Sequence, residues 1–162
     1  MPKWTTDDLV TEQSDGPCGR ADIVKLSDTG GLTQFGAVIE TLYPGARSSN
    51  THWHTDEDEM VHMLEGEVVL VEGDSEATLR AGDTATFKAG VTVGHRLDNR
   101  SDAPARYLVV GTRATRDTVT YTDTGRAKHL DGDQTRWTDL DGNPSDDPFL
   151  KIPRITRAAT AG

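Results

Sequence analysis

The sequence predicts an all-β protein built as a single domain, and three observations lead to that prediction. Short segments rich in β-branched and aromatic residues follow one another at regular spacing, and glycine-containing turns separate them. No segment of the sequence shows a sustained helical repeat with capping residues. The chain has 162 residues, which suits one domain with its own core and is short for two.

The strand prediction is clearest in the middle of the chain. Residues 33–43 form the first well-patterned strand, which stops at Pro44 and Gly45. Further strands are predicted at residues 51–54, 59–64, 67–71, 76–79, 84–87, 95–97 and 106–111. Several short strands with turn signals at this spacing are typical of a β-sandwich or a β-barrel.

The beginning of the chain is predicted to hold little regular structure. Residues 1–20 are polar and contain two prolines, so we expect a leading arm there. A first strand begins at residues 24–26, and residues 28–31 form a turn. We therefore treat residues 1–32 as an N-terminal arm with a first strand and residues 33–113 as the barrel core.

The pattern weakens after residue 113. Residues 117–122 and 134–138 are candidate strands at the barrel edge, and residues 139–147 form a solvated turn. The tail from Pro148 alternates basic and apolar residues, so it is either loose or an extended arm lying on the barrel or on a second subunit. Residues 114–162 are accordingly assigned to edge strands and an irregular C-terminal tail.

Composition excludes several classes of function. The chain carries 17 Lys and Arg against 27 Asp and Glu, a net charge of −10, and it has no basic block that would bind nucleic acid or an anionic membrane. Its single cysteine, Cys18, excludes an internal disulfide framework and a cysteine metal cluster. With no apolar signal region and no membrane-spanning run in the sequence, we expect a soluble cytoplasmic protein.

The most informative stretch contains two histidines separated by one residue. In an extended strand His52 and His54 point to the same face and Trp53 points to the other. Glu59 follows after a polar segment, residues 55–58, where a turn resets the strand register. The three acidic residues of this segment, Asp56, Glu57 and Asp58, are interpreted as a solvated turn rather than as ligands.

A third imidazole is predicted to come from His95, the remaining histidine in a strand-like setting. His62 falls on the opposite face from Glu59, and His129 lies in a weakly patterned segment, so neither is assigned to the site. Three imidazoles and one carboxylate suit one divalent transition metal, whether Fe, Mn, Ni, Zn, Co or Cu. Four protein ligands leave a position open for water or substrate, which is typical of a reactive site.

The sequence resembles the cupin superfamily in two motifs. The first is carried by Gly45, His52, His54, Glu59 and Gly66, and the second by Gly82-Asp83, Gly90, His95 and Asn99. More closely, the chain is similar to small, mostly uncharacterised single-domain bacterial cupins, some of which are labelled sugar-phosphate isomerase-like. The resemblance implies a double-stranded β-helix, that is, a jelly-roll barrel, with a metal in its mouth and often a homodimer.

Three departures from the motifs affect the loops and not the ligands. Six residues separate Gly45 from His52, where the family usually has five. Lys88 stands where a proline is usual, and four residues separate Gly90 from His95, where two are usual.

Substrate contacts at the barrel mouth are expected from one amide and three cations, Gln34, Arg47, Lys88 and Arg96.

Other side chains are given structural roles. Four aromatic residues are expected in the core rather than stacked on substrate, namely Trp53, Phe35, Phe87 and Tyr107. Arg113 and Asp117 are expected to pair at the barrel edge. Because Glu59 is a predicted ligand, a general base would have to be another group, and no residue stands out for that role in the sequence.

Two classes of function remain open at this point. The first is a metalloenzyme acting on a small polar or anionic molecule, such as a sugar phosphate or carboxylate, with the metal as a Lewis acid. Isomerase, dioxygenase, decarboxylase and lyase chemistry all fit such a site, since the fold does not choose among them. The second is a non-catalytic small-molecule binding or sensing protein. The acidic sequence without a helix-turn-helix pattern argues against a DNA-linked sensor.

Overall fold

Two antiparallel β-sheets form almost all of the regular structure in residues 3–147, the part of the chain that this computed structural model describes. The strands are β1 (Val10–Gly16), β2 (Gly19–Lys25), β3 (Phe35–Leu42), β4 (His52–His54), β5 (Glu59–Glu65), β6 (Glu67–Glu72), β7 (Ser75–Arg80), β8 (Thr84–Phe87), β9 (His95–Asp98), β10 (Ala105–Thr112), β11 (Arg116–Tyr121), β12 (Arg126–Asp131) and β13 (Gln134–Asp139). Helical structure in this range is limited to a 3-10 turn, Thr6–Asp8, and one α-helical turn, α1 (Leu26–Thr29). The all-β prediction is confirmed.

The chain passes repeatedly between the two sheets. The first sheet has the order β1-β2-β3-β10-β5-β8, and the second has the order β13-β12-β11-β4-β9-β6-β7. From β3 the chain crosses to β4, returns to β5, crosses to the β6–β7 hairpin, returns to β8 and crosses again to β9. This alternation is the winding of a double-stranded β-helix, so the predicted barrel architecture is also confirmed.

Three adjacent strands of the first sheet, β3, β10 and β5, set out their inward side chains in parallel rows. The base row lies within the core and consists of Glu40, Tyr107 and Met63. The next row along the strands, the wall row, consists of Val38, Val109 and Val61. The mouth row consists of Gly36, Gly111 and Glu59. Because two of its positions are glycine, the mouth row leaves space around a single carboxylate.

The N-terminal residues depart from the sequence prediction. Where an arm was expected up to residue 20, β1 and β2 form a hairpin, and β2 extends the first sheet by pairing with β3. The predicted first strand at 24–26 is the end of β2, since the chain turns into α1 at Leu26. Strand β1 was missed because it is a mostly exposed edge strand of polar residues and lacks the apolar alternation that identifies half-buried strands.

The close approach of this hairpin to the barrel depends on a glycine. Gly19 has a φ of +88°, and a Cβ built on it would lie 2.7 Å from the Cβ of Ala46. Any side chain at this position would therefore be strained by its backbone and would collide with the loop after β3. The contact ties β2 to the segment that leads into the two histidines of β4.

The strands after residue 113 extend the second sheet. Strands β11, β12 and β13 form a meander, and β11 pairs with β4, which places it beside the predicted site. Strand β12 was not predicted, whereas the strands predicted at 117–122 and 134–138 are found as β11 and β13 within two residues. The predicted tail arm from Pro148 lies outside the described residues and stays a prediction.

Two of the predicted structural roles need correction. Arg113 and Asp117 do not pair: the Arg113 guanidinium forms an ion pair with Asp28 and donates to the carbonyl of Leu32 at 2.9 Å. Among the aromatic residues expected in the core, Tyr107 and Phe87 are buried, but Phe35 is 38% exposed because it is the first residue of β3, at the end of the sheet.

No helix in residues 3–147 is long and apolar enough to cross a membrane.

Candidate metal centre

Strand pairing in the second sheet brings the three predicted histidines together. Strands β4 and β9 are neighbours, and His52 of β4 is the direct register partner of His95 of β9. Their ring centroids lie 4.8 Å apart. His54 points to the same side of β4, with its ring centroid 5.2 Å from that of His52. The predicted shared face of the two β4 histidines is confirmed.

The carboxylate of this cluster comes from the facing sheet. Glu59 is the first residue of β5, and its Oε2 lies 3.3 Å from His95 Nε2 and 4.0 Å from His52 Nε2. One ligand atom from each of His52, His54 and Glu59 lies within 4.8 Å of the other two. The structure therefore brings together all four residues that the sequence predicted as ligands, and we call them the His/Glu cluster.

Hydrogen bonds behind the cluster fix which nitrogen each ring presents. His52 Nδ1 lies 3.0 Å from the carbonyl oxygen of Asn50, to which it donates, and His54 Nδ1 donates to Asp117 Oδ2 at 2.6 Å. In both rings the Nε2 atom is then left as the unprotonated nitrogen. Such partners behind a ligating histidine orient the ring and raise its basicity.

Asp117 is built into the site rather than the surface. Its side chain is fully buried, and besides His54 it accepts hydrogen bonds from the Thr55 hydroxyl at 3.0 Å and the Asp56 amide at 2.9 Å. Burial alone would raise the pKa of Asp117, but its hydrogen bonds with His54, Asp56 and Thr55 outweigh this and lower the pKa. The aspartate thus stays charged and holds the His54 ring in one orientation.

The protonation states favour a cation. Burial lowers the pKa of His52, and the neighbouring His95 lowers it further, so the His52 ring is neutral. Burial would raise the pKa of Glu59, but the surrounding histidines lower it, so the carboxylate is charged. Two atoms bound to one ion at about 2.1 Å lie about 3.0 Å apart at a right angle and about 4.2 Å apart in line, which spans the contacts of Glu59. The donor set fits a divalent transition metal.

Two cavities open onto the His/Glu cluster from different sides. The larger, about 320 Å³, is lined by His52, His54 and Glu59, the two glycines of the mouth row, two valines of the wall row, and Arg113. The smaller, about 190 Å³, is lined by His54, Glu59 and His95 together with apolar side chains and Lys88. Both cavities include Glu57, so a small molecule in either would lie beside the same cluster.

The four residues predicted to contact substrate lie in different parts of the structure rather than around one cavity. Lys88 lines the smaller cavity beside the cluster. Arg47 and Arg96 line a third cavity, of about 320 Å³, which shares no lining residue with the other two. Gln34 is exposed, and its carbonyl oxygen accepts from the Arg113 amide. Substrate binding by these four residues stays a prediction, and only Lys88 is placed at the cluster.

The acidic turn before Glu59 differs from the sequence interpretation at one position, Glu57. Glu57 is not a solvated residue: its side chain is 21% exposed, accepts from the Ala114 amide at 2.9 Å and lies 3.8 Å from His54 Nδ1. Burial raises its pKa. Asp58 accepts from the amide of Ala89 at 2.8 Å and so ties the turn to the loop after β8. Asp56 and Asp58 are both exposed, as the sequence interpretation expected.

The histidines left out of the predicted site make contacts elsewhere. His62 Nδ1 lies 2.8 Å from the Thr84 hydroxyl on the outer face of the first sheet. His129 on β12 contacts the hydroxyls of Thr118 and Thr138 at 3.1 and 3.0 Å. Trp53, which was expected in the core, is half-buried and lines the smaller cavity beside His54.

Comparison with known proteins agrees with this architecture. Residues 38–111 match the family model of the cupin domain. A sugar phosphate isomerase from a cupin superfamily, from Silicibacter pomeroyi, is 38% identical with a TM-score of 0.82, and the alignment covers 90% of this chain and 97% of that one. A search of curated proteins gave no match.

More distant structures share the fold. A protein of Acidithiobacillus ferrooxidans provisionally called a sugar phosphate isomerase is 20% identical with a TM-score of 0.79, covering 90% of this chain and 96% of that one. A predicted oxalate decarboxylase from Thermotoga maritima is 19% identical with a TM-score of 0.60, covering 70% of this chain and 100% of that one. From its barrel topology, its two motifs and its similarity to the Silicibacter protein, the chain belongs to the cupin superfamily.

Proposed function

We propose that this protein is a metal-dependent enzyme acting on a small polar or anionic molecule, such as a sugar phosphate or a carboxylate. The observation that carries the proposal is the His/Glu cluster, a set of four candidate ligands that lies between two cavities rather than in closed packing. A structural metal site is usually closed by protein ligands, whereas a reactive site keeps a position open. The name of the 38% identical relative makes a sugar phosphate the first substrate to test.

The residues that would hold the metal are His52, His54, Glu59 and His95. A divalent transition metal bound there would supply a Lewis acid that polarises a carbonyl or hydroxyl oxygen. The protein would orient the histidines from behind, through Asn50 and Asp117. Stacking supports His95, since its ring lies on that of Phe87 with a centroid separation of 3.6 Å.

One cation at the smaller cavity supports an anionic substrate, and it lies among three carboxylates, Glu57, Glu59 and Glu72. Lys88 lines the smaller cavity and forms no ion pair with the described residues, so its ammonium is available to a phosphate or carboxylate. Arg113 borders the larger cavity, where Asp28 and the carbonyl of Leu32 already hold its guanidinium. Lys88 is therefore the better candidate for an anion contact near the cluster.

The proposal is tested by metal analysis followed by substrate assays. Protein purified without added metal is analysed by elemental mass spectrometry and reconstituted with Fe, Mn, Ni, Zn, Co or Cu. Each form is incubated with aldose and ketose phosphates and with dicarboxylates in D₂O and followed by NMR, while oxygen uptake is recorded for the iron form. Metal binding with turnover supports the proposal. Absence of stoichiometric metal in every form contradicts it, and metal binding without turnover favours a binding or sensing protein.

We further propose that the protein is a cytoplasmic homodimer that binds neither nucleic acid nor membrane. The family resemblance and the apolar residues of the tail from Pro148 support the dimer, and the net charge of −10 supports the absence of polyanionic partners. Sedimentation equilibrium at micromolar concentration should give twice the chain mass of 17.6 kDa. A strictly monomeric mass would contradict the dimer.

A further inference from the structure

One carboxyl group in the barrel interior has no role in the metal centre. Glu40 lies on β3 with its side chain on the inward face, between Val38 and the fully buried Leu42. Across the sheet it faces Tyr107, and Tyr107 in turn faces Met63. Tyr107 and Met63 are 0% and 1% exposed, while Glu40 is half-buried. A polar side chain thus interrupts an otherwise apolar part of the core.

The hydroxyl facing this carboxyl is itself unusual. The Tyr107 hydroxyl is buried and makes no hydrogen bond with any described residue. Buried polar groups without a partner are rare, and each one costs about 1–3 kcal/mol, so such a group usually serves a purpose. The polar group that Tyr107 meets in register is Glu40. We call these two side chains the Glu40–Tyr107 pair, and both belong to the base row.

This pair lies directly below the larger cavity. Val38 and Val109 of the wall row line that cavity, and the base row follows them on the same strands. Successive inward residues on a strand are about 7 Å apart, so the carboxyl of Glu40 can lie within one row of the cavity. Val38 and Val109 are both half-buried, and they are the residues that lie between the cavity and Glu40 on these two strands.

The surroundings of Glu40 favour its protonated form near neutral pH. Burial raises the pKa of Glu40 to about 7, with an opposing contribution from the facing Tyr107 hydroxyl and a further increase from the charge of Glu59. On the neighbouring β2, Ile23 faces Glu40, and the ammonium of Lys25 is already bound by Glu12 at 2.7 Å. No cation from the neighbouring strands therefore stabilises a Glu40 carboxylate among the described residues.

We propose that Glu40, paired with Tyr107, is the proton-holding group of this site and exchanges one proton with a substrate in the larger cavity through water. The inference rests on the proposed metalloenzyme function and supplies the acid–base group that the sequence did not reveal. In an isomerisation, the Glu40 carboxylate would gain the proton that leaves a substrate carbon or hydroxyl and become the carboxylic acid. The same proton would then return to the neighbouring atom, so the group ends in its starting state.

The first test measures the proton on Glu40 directly in the full-length, metal-free protein, because a cation bound to Glu59 would offset the charge that raises the pKa of Glu40. The side-chain carboxyl carbons of glutamate are labelled with ¹³C and titrated by NMR, and the Glu40 signal is identified by its loss in Glu40→Gln. We expect a midpoint near 7, against about 4.3 for an ordinary glutamate. A Glu40 midpoint in the ordinary carboxyl range would overturn the proposal.

The second test separates this proposal from the metal centre. Glu40→Gln should keep the metal content of the wild type, since Glu40 is not part of the His/Glu cluster. With a sugar phosphate that the wild type converts, its kcat should fall by about 100-fold or more and lose its dependence on pH near neutrality. An unchanged kcat and pH profile would overturn the proton-holding role while leaving the metalloenzyme proposal intact. Loss of metal in wild type and variant alike would instead overturn the metalloenzyme proposal, and the NMR titration would still decide the state of Glu40.

Discussion

The mouth row and the base row belong to the same three strands, yet they form opposite environments. At the mouth, Gly111 lies beside Glu59 and Gly36 lies beyond Gly111, and the space left by the missing side chains of these glycines becomes part of the larger cavity. At the base, Tyr107 and Met63 fill the corresponding positions and are almost fully buried. The backbone pairing is the same in both rows, so side-chain volume decides which end of the barrel is a site and which is a core.

Polar groups are also treated differently at the two ends. The mouth concentrates three imidazoles around Glu59, with buried hydrogen-bond acceptors such as Asp117 behind them. The base contains Glu40 and Tyr107, and the Tyr107 hydroxyl has no hydrogen-bond partner among the described residues. Changes at the mouth are therefore expected to affect metal binding, and changes of apolar side chains at and beyond the base row are expected to affect stability.

The largest expected effect is the loss of a metal ligand at the mouth. His54→Ala removes one of four donors, so metal affinity should fall by more than about 100-fold, beyond the usual cost of losing a partner behind a ligand. Metal content after dialysis, measured by elemental mass spectrometry, is the readout. His62→Ala and His129→Ala are matched controls, since both rings lie outside the cluster, and they should retain wild-type metal content. Full metal retention by the His54 variant would contradict the assigned site.

A core substitution next to the base row should lower the stability of the fold and leave metal binding unchanged. Leu42 is fully buried on β3 beside Glu40, and Leu42→Ala should lower the free energy of unfolding by about 2–5 kcal/mol through the cavity it leaves. The measurement is urea denaturation of the metal-free protein. Metal content per folded molecule should stay unchanged, because Leu42 lies beyond the base row from Glu59. A variant that unfolds normally but has lost its metal would refute the separation of the two ends.

The sequence predicted the mouth better than the base for a physical reason. The two histidines of β4 are one residue apart, and Glu59 follows closely, so strand alternation is enough to place them on one wall. The orientation of His54 depends on Asp117, which is 63 residues away and arrives only because β11 pairs with β4. No local sequence pattern indicates that strand pairing. For this reason the sequence analysis predicted that Asp117 pairs with Arg113 instead.

The inward position of Glu40 was hidden for a related reason. On β3 the inward residues include Val38 and Glu40, whereas the outward residues include Ile39, so apolar residues lie on both faces and alternation does not identify the inner one. Only the register with β10 identifies the inner side of this strand. The edge strand β1 was missed because its side chains are largely exposed and carry no apolar alternation at all.

A smaller effect is expected from changing the partner behind a ligand. Asp117→Asn keeps the size of the side chain but removes the charge that holds the His54 ring, so metal affinity should fall by about 10–100-fold. Competition with a chromophoric chelator measures the affinity. Asp131→Asn is the control, since that carboxylate is 65% exposed and forms its ion pair with Arg116 away from the cluster, and it should leave the affinity unchanged. Equal affinities for the two variants would remove Asp117 from the site.

The smallest expected effect is the pH dependence of stability that is caused by Glu40 in the base row. Its pKa is raised from 4.5 to about 7 in the folded protein, so the folded state holds a proton that the unfolded state has released between these values. The wild type therefore loses stability as the pH rises from about 4.5 to about 7 and not beyond. Glu40→Gln has no such proton, and its stability relative to the wild type should increase over that range by on the order of 1–3 kcal/mol.

Urea denaturation of the metal-free proteins at several pH values between 4.5 and 8 measures this difference. Glu65→Gln on β5 is the matched control, because its side chain is 70% exposed, and its difference from the wild type should stay constant with pH. Metal-free protein is required because metal binding to the cluster has its own pH dependence. If the two variants follow the same curve, the Glu40 carboxyl is solvated and charged like a surface group. The base row would then be a purely structural layer, and the barrel would keep its chemistry at the mouth alone.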